Sequence, residues 1–233
     1  MTTHAEQTAT KAKEHPIIFS APMVRAILDN RKTQTRRIIK CSEGIVDRVR
    51  PVTSVGMGVS KGEKPTHYVL MVKDHKFNSG HPVVHCPYGQ PGDHLWVKEA
   101  WSCESWGPDP KKREVIVRYA ARERSDQKFL TEKQYELYGT NFEKSRSSML
   151  MPRWASRILL EITEVRVERL QEISEEDAAR EGAVSMDPAG HLCPVHTLRK
   201  CFKRIWNQIH KRSGSMWESN PWVWVISFKR INP

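Results

Sequence analysis

Short runs of alternating apolar and polar residues recur along this chain, and this period-2 pattern predicts half-buried β-strands. The longest run covers residues 157–170 (RILLEITEVRVERL), where the apolar register slips near Thr163 and Glu164 and predicts a bulge or a bend. Shorter strands are predicted at 17–19, 68–72, 94–99, 115–121 and 222–231. Many short strands and few helices predict the α+β class, built as a small mixed β-barrel with flanking helices and loop insertions.

Three segments carry helix signals instead. A helix is predicted after Ser20, which can serve as its N-cap, with Pro22 in the first turn. A brief helix is predicted to open at Ser174, with Asp177 as its capping-box partner, and to end at Gly182. The segment 196–210 predicts an amphipathic helix, because apolar residues follow a 3.6-residue spacing at Leu198, Phe202, Ile205, Trp206 and Ile209.

Residues 16–233 are predicted to form one domain, and the polar segment 1–15 is predicted to be a disordered tail. No apolar run approaches the roughly 18–20 residues of a membrane helix, and the segment 1–15 lacks the apolar stretch of a signal peptide. The five cysteines are scattered and odd in number, which argues for reduced thiols. A cytoplasmic protein without a membrane partner is therefore expected.

The formal charge of +11 is unevenly distributed along the chain. The segment 196–233 has eight Lys or Arg residues and one acid, whereas 161–182 has eight acids and three arginines. Such an asymmetry predicts a surface that faces a polyanion, most simply nucleic acid. The alternative is a solvated basic helix that binds no partner.

The segment 31–37 (RKTQTRR) places four cations within seven residues. Arginine can donate two parallel hydrogen bonds to an oxyanion, and lysine supplies a compact positive charge. This segment therefore suits a phosphate or carboxylate ligand. Lys32 and Thr35 also offer a base and a nucleophile, provided that burial or nearby cations lower the pKa of the lysine. The alternative is an edge strand whose charges are solvated.

Glu181 lies at the end of the predicted helix 174–182, just before a glycine. A negative charge there slightly opposes the helix dipole, so a functional role is one interpretation of it. A surface glutamate is the alternative interpretation.

Eight tryptophans are many for a chain of this length, and part of them must belong to the core. Trp154 lies between Arg153 and Arg157 (PRWASR), which makes it the best candidate for stacking on a base.

Two groups of histidines and cysteines raise the question of a zinc site. They are His81, His85 and Cys86, and His191, Cys193, His196 and Cys201. Their spacings match no established zinc pattern, so no metal and no other cofactor is predicted.

The order of several motifs resembles the ASCH domain family, and within it the larger prophage-encoded members. The motifs are "PIIFSAPMVRAIL", "KTQTRR", "CPYGQPGD", "MPRWASRI" and "NPWVWVI", and the resemblance covers about 16–40, 86–101 and 150–233. It implies a PUA-like β-barrel fold. Relative to a minimal domain of that family, the segments at about 41–80 and 102–147 are insertions.

The resemblance also implies a role directed at RNA or at a modified nucleoside. Some small ASCH proteins hydrolyse the amide of N4-acetylcytidine with a Lys, a Thr and a Glu, and their motif is similar to residues 30–35, where Asn30 replaces a glycine. By that match Lys32 is the general base, Thr35 attacks the acyl carbonyl or positions water, and Glu181 orients a group or carries a proton. Arg31, Arg36 or backbone N–H groups would hold the oxyanion.

The expected partner is RNA, or a nucleoside or nucleotide ligand. The predicted nucleic-acid contacts are Arg31, Arg36, Arg37, Arg153, Trp154, Arg157, Lys200 and Lys203. Two alternatives remain, a non-catalytic nucleic-acid-binding phage accessory protein and a ribonuclease, and a metal-dependent nuclease is a weaker third.

Overall fold

The structure is a computed structural model of the chain. It describes residues 12–40, 46–54, 57–58, 67–72, 83–105, 113–121, 125–138, 145–184, 197–212 and 214–231. The predicted tail lies mostly outside these ranges, but the first strand begins at Glu14, so the last two tail residues belong to a strand.

The described residues form four α-helices: α1 (Ala21–Leu28), α2 (Glu132–Tyr138), α3 (Glu175–Arg180) and α4 (Leu198–His210). Ser20 has the extended backbone of an N-cap at α1, although its side chain caps no N–H group. At α3 the Ser174 hydroxyl accepts a hydrogen bond from the Asp177 amide at 3.1 Å, as the capping pattern predicts. Thr197 caps α4, which begins two residues later than its predicted start.

The strands are β1 (Glu14–Ile18), β2 (Gln34–Ile38), β3 (Val46–Ser54), β4 (Met57–Gly58), β5 (His67–Val72), β6 (Val83–Val84), β7 (His94–Lys98), β8 (Trp101–Ser105), β9 (Glu114–Tyr119), β10 (Ser125–Phe129), β11 (Leu159–Arg169) and β12 (Trp222–Arg230). They form three sheets, in the orders β1-β7-β11-β12-β2, β10-β9-β8 and β4-β3-β5-β6. The α+β class is therefore confirmed. The ladders of the described residues form open sheets, and no closed barrel occurs among them.

The five-stranded sheet positions the candidate site. The β1–β7 pair is parallel and the other pairs are antiparallel, with a register shift between Ile162 and Glu164 that confirms the predicted bulge. Strand β12 is buried on both faces: Trp224 and Ile226 pack into one core, whereas Val223 and Val225 pack into another with α3 and α4. A hydrogen bond also links the edge strands β1 and β2, because the Arg37 side chain on β2 donates to the carbonyl of Ile18 on β1.

Most strands of the two smaller sheets lie in the segments that are predicted to be insertions, whereas β6 lies outside them. Strands β3 to β5 fall within 41–80, and β5 contributes Tyr68 and Leu70 to the main core. Strands β8 to β10 and helix α2 fall within about 102–147 and pack around a separate cluster that includes Trp101 and Met151. Strand β10 was not predicted from the sequence. Among the described residues, no helix is long and apolar enough to span a membrane.

Candidate active site

The turn after α1 brings Lys32 to the end of α3. Asn30 has a positive φ of 57°, and the amides of Arg31 and Lys32 both donate to the Ala26 carbonyl, at 2.8 and 3.0 Å. Asparagine tolerates this left-handed conformation, as expected for a residue in place of glycine. The Thr33 amide then donates to the Arg180 carbonyl at 2.8 Å, and Lys32 and Glu181 form an isolated antiparallel bridge.

Gly182 permits this close approach. Its φ is +82°, and an added Cβ would lie 3.1 Å from the Cβ of Ala26 and 3.2 Å from the Cβ of Lys32. A side chain at this position would therefore be strained in its backbone and crowded against the turn. The sequence signal for a helix end is thus also a packing requirement of the Lys32–Glu181 contact.

Lys32 and Glu181 form a buried ion pair. The Lys32 Nζ lies 2.7 Å from the Glu181 Oε2 and donates a second hydrogen bond to the Glu181 carbonyl at 2.9 Å. The two side chains are 2% and 5% exposed, so Glu181 is not a surface residue. Burial lowers the pKa of the Lys32 ammonium, and the charges of Arg37 and Arg36 add to this, although Glu181 opposes it.

Arg36 fixes the other side of Glu181. Its side chain is fully buried, and its Nη1 donates to the Glu181 Oε1 at 3.2 Å and to the Gln34 Oε1 at 2.8 Å. Its Nη2 donates to the Asp177 Oδ2 at 2.9 Å and pairs closely with the Glu168 carboxylate. Because these partners take up its N–H groups, Arg36 does not fit the predicted role of a nucleic-acid contact or an oxyanion donor.

Thr35 lies next to this network and opens into a cleft. It is on β2, 4% exposed, and its hydroxyl makes no hydrogen bond to any residue that the structure describes. The cleft has a volume of about 340 Å³ and lies between α1, β2 and α4. Its walls are Ile18, Phe19, Ser20, Met23, Lys32, Thr35, Arg36, Arg37, Ser148, Glu181, Phe202, Ile205, Trp206, Ile209 and His210. The structure therefore brings Lys32, Thr35 and Glu181 into one cleft with a free hydroxyl.

The remaining cations of 31–37 have different positions. Arg37 lines the cleft, with its guanidinium 5.1 Å from the ring centroid of Phe19. Arg31 is exposed, pairs with Asp29 at 3.1 Å and does not line the cleft. A shared role for these cations in one anion site is therefore not supported by their positions.

Trp154 and its two arginines do not form a stacking surface. Trp154 packs in an aromatic cluster with Trp101 and Tyr138, at centroid distances of 5.8 and 5.5 Å. The Arg157 side chain is 7% exposed and pairs with Glu99 at 2.9 Å, which makes it a structural ion pair.

Arg153 is on the surface and pairs with Glu14, with its Nε 2.6 Å from the Glu14 Oε2. This pair links the segment that contains Trp154 to the start of β1. None of the residues Arg153, Trp154 and Arg157 lines the cleft. Sequence proximity alone suggested a common role for them, and packing assigns each a different one.

The two lysines of α4 lie away from the cleft. Lys200 is exposed, and Lys203 pairs with Glu218 at 3.0 Å. Residues two apart on a helix lie nearly opposite each other, so Lys200 points away from Phe202, which lines the cleft. These cations belong to the outer surface of the helix.

Among the residues that the structure describes, no group of three or more His, Cys, Asp or Glu side chains is arranged to hold a metal ion. Cys86 and Cys201 are buried thiols, and burial raises the pKa of Cys86 to about 11. His81, His191, Cys193 and His196 lie outside the described residues.

Sequence reasoning missed the carboxylates that hold Arg36, and it missed His210. Asp177 was predicted only as a capping partner, yet its side chain faces Arg36 and Arg166. Part of the signal was present in the sequence. The segment 161–182 has a net charge of −5, which is opposite in sign to the charge of the segment 31–37. His210 ends the apolar face of α4, and its ring stacks on Trp206 at 4.1 Å.

A scan against protein-family models and searches of curated proteins and of solved structures found no match to this chain. The resemblance of the motifs to the ASCH family therefore stays a prediction.

Proposed function

We propose that this protein binds RNA or a modified nucleoside and hydrolyses an acylated exocyclic amine of the N4-acetylcytidine type. The observation that carries the proposal is the buried contact of 2.7 Å between the Lys32 Nζ and the Glu181 Oε2 in a cleft that Thr35 also lines. A base, a carboxylate and a free hydroxyl in one partly apolar cleft suit acyl transfer.

The proposed reaction begins with the Thr35 hydroxyl. Its Oγ1 forms a bond to the acyl carbon while its proton passes to the Lys32 amine. The bond from the acyl carbon to N4 then breaks, and Lys32 returns the proton to the departing amine. The acyl group remains as an ester on Thr35, and water hydrolyses that ester to release a carboxylic acid and restore the hydroxyl.

Lys32 suits this role because burial favours its neutral form, which is the form that can accept a proton. The Glu181 carboxylate then stabilises the ammonium that forms when the proton arrives. Arg36 lines the cleft, but its N–H groups are engaged by Glu181 and other partners, so we assign it the role of a positioning residue. A second path, in which Thr35 orients an attacking water, uses the same three side chains.

We also propose that the five-stranded sheet is the body of a PUA-like barrel. Two observations support this: the mixed order β1-β7-β11-β12-β2, and the approach of both edge strands. The Arg37 Nη2 on β2 donates to the carbonyl of Ile18 on β1 at 2.6 Å, so a side chain joins edges that share no backbone ladder among the described residues.

The test measures acetate release from N4-acetylcytidine. Thr35→Val keeps the side-chain volume and removes the hydroxyl, and we expect the rate to fall by about 10²–10⁴-fold, with a similar fall for Lys32→Ala. Thr33→Val is the matched control, because Thr33 is exposed and two residues away on the same segment. Full activity of Thr35→Val would show that Thr35 is not the nucleophile.

A non-catalytic nucleic-acid-binding role is the second candidate. The exposed cations of α4 and its end favour it, namely Lys200, Arg204, Lys211 and Arg212. Steeply salt-dependent RNA binding without acetate release by the wild-type protein would select this role. RNA cleavage that Lys32→Ala abolishes would instead select a ribonuclease.

A further inference from the structure

Arg37 differs from the other two cations of the cleft. Lys32 and Arg36 are held by carboxylates, whereas Arg37 contacts no carboxylate among the described residues. Its Nη2 donates to the Ile18 carbonyl, and its Nε is buried without any hydrogen-bond partner. A guanidinium offers five N–H donors, so the described contacts leave most of its donors unused.

A buried N–H donor without a hydrogen-bond partner lowers the stability of the fold unless a ligand accepts its hydrogen bond. Arg37 is also held in place, because its guanidinium lies over the rings of Phe19 and Tyr88, at 5.1 and 5.8 Å from their centroids. A fixed arginine with unsatisfied donors is suited to an oxyanion such as phosphate. Glu181 is the one carboxylate among the described residues that line the cleft, and both of its oxygens are engaged.

Two further polar groups line the same cleft as Arg37. The Ser20 hydroxyl caps no N–H group of α1, and Ser20 lies two residues after the carbonyl that Arg37 contacts. His210 lines the cleft from the end of α4. A hydroxyl, a guanidinium and an imidazole together supply donors for more than one oxygen of a phosphate.

We propose that Arg37, Ser20 and His210 bind a phosphate monoester, so that the ligand of this cleft is a nucleotide rather than an uncharged nucleoside. The identity of the base beside the phosphate rests on the proposed function, whereas the phosphate site rests on these contacts alone. Arg37 and Thr35 lie two residues apart on β2, about 7 Å along the strand. The phosphate therefore binds beside Thr35 without occupying the place of the reacting carbonyl.

His210 gives the site a second readout. Burial lowers its pKa, and the charge of Arg37 adds to that effect. A bound dianion reverses the local charge, so it should raise the pKa of His210. The charged groups that surround His210 are Lys32, Arg36, Arg37 and Glu181 in the cleft wall, and Lys211 and Arg212 beyond the helix end.

The first experiment compares the affinities of cytidine 5′-monophosphate and cytidine by isothermal titration calorimetry at low ionic strength. We expect the wild-type protein to bind the monophosphate about tenfold tighter or more, and Arg37→Gln to remove this preference. Arg31→Gln should keep it, since Arg31 is exposed and outside the cleft. Equal affinities in the wild type, no binding of either ligand, or a preference that survives Arg37→Gln would overturn the site.

The second experiment uses the wild-type protein alone, so it does not depend on the folding of a variant. The pKa of His210 is measured by NMR in sodium sulfate and in sodium chloride of equal ionic strength, because sulfate keeps its charge between about pH 5 and 8 where histidine titrates. A higher pKa in sulfate supports the site, and an unchanged pKa contradicts it.

The source of the phosphate is tested with an RNA oligonucleotide that carries or lacks a 5′-phosphate. Tighter binding of the phosphorylated RNA assigns the site to an RNA end, and a preference limited to the free monophosphate assigns it to a nucleotide. A preference for the phosphorylated ligand without acetate release would contradict only the proposed hydrolysis. Acetate release without any preference for the phosphorylated ligand would contradict only the proposed phosphate site.

Discussion

The segment 31–37 and helix α4 are both rich in cations, but their side chains have opposite positions in the structure. In 31–37, Lys32 and Arg36 are buried and held by carboxylates. On α4, Lys200 is exposed and Lys203 makes an exposed pair with Glu218. A charge cluster in a sequence is therefore compatible with a solvent-facing surface and with a buried network.

Complementary charge and burial together decide between these outcomes. The acidic segment 161–182 supplies Glu168, Asp177 and Glu181 to the cations of 31–37. Part of the charge asymmetry of the chain is thus an internal match rather than a surface for a polyanion. On α4, Lys200 is exposed and Lys203 pairs with the exposed Glu218, so this surface of the helix faces solvent and can meet nucleic acid.

The largest expected effect follows from removing the centre of the buried network. Arg36→Ala leaves Glu168, Asp177 and Glu181 close together without their shared cation, and we expect a loss of about 3–5 kcal/mol in the free energy of unfolding. Urea denaturation measures it. Arg31→Ala removes an exposed pair in the same segment and should cost less than about 1 kcal/mol. Equal losses in the two variants would erase the contrast between buried and exposed cations.

A smaller effect is expected in the pH dependence of stability. Although burial opposes it, the hydrogen bond from Arg36 and the charge of Arg166 lower the pKa of Asp177. A folded-state pKa below the unfolded value of about 3.9 stabilises the fold above that pH, and this contribution is lost as the pH falls through the folded-state pKa. Asp177→Asn should therefore be destabilised near neutral pH and should lose less additional stability than the wild type in acid.

Denaturation at a series of pH values from neutral to strongly acidic measures this difference. Asp29→Asn is the matched control, because Asp29 takes part in an exposed pair with Arg31. Parallel pH profiles of wild type and Asp177→Asn would show that Asp177 contributes nothing to acid sensitivity.

The smallest effect on stability is expected on α4. Reversal of charge in the double variant Lys200→Glu and Lys203→Glu should change the free energy of unfolding by less than about 0.5 kcal/mol per site, as is usual for surface positions. If α4 faces RNA, the same variant should weaken binding alike for all sequences and reduce the salt dependence. Fluorescence anisotropy at several salt concentrations checks this, and an unchanged affinity would remove α4 from the interface.

Local pattern was sufficient for most of the elements near the cleft. The period-2 alternation predicted β11 and its bulge between Ile162 and Glu164, since register is a property of neighbouring residues. The cap at Ser174 and the turn at Gly182 likewise follow from local chemistry. Strand β10 was missed, because residues 125–129 (SDQKF) are largely polar and depend on pairing with β9.

The sequence by itself determined the α+β class, the amphipathic α4 and the presence of a dense cation segment at 31–37, because each is encoded in the spacing of nearby residues. Only the tertiary structure decided which cations are buried. Lys32 and Glu181 are 149 residues apart, and Arg36 and Asp177 are 141 apart. No local spacing predicts such pairs, because they depend on how α1, β2 and α3 pack, and burial then sets the pKa of Lys32 and leaves Arg37 facing the cleft.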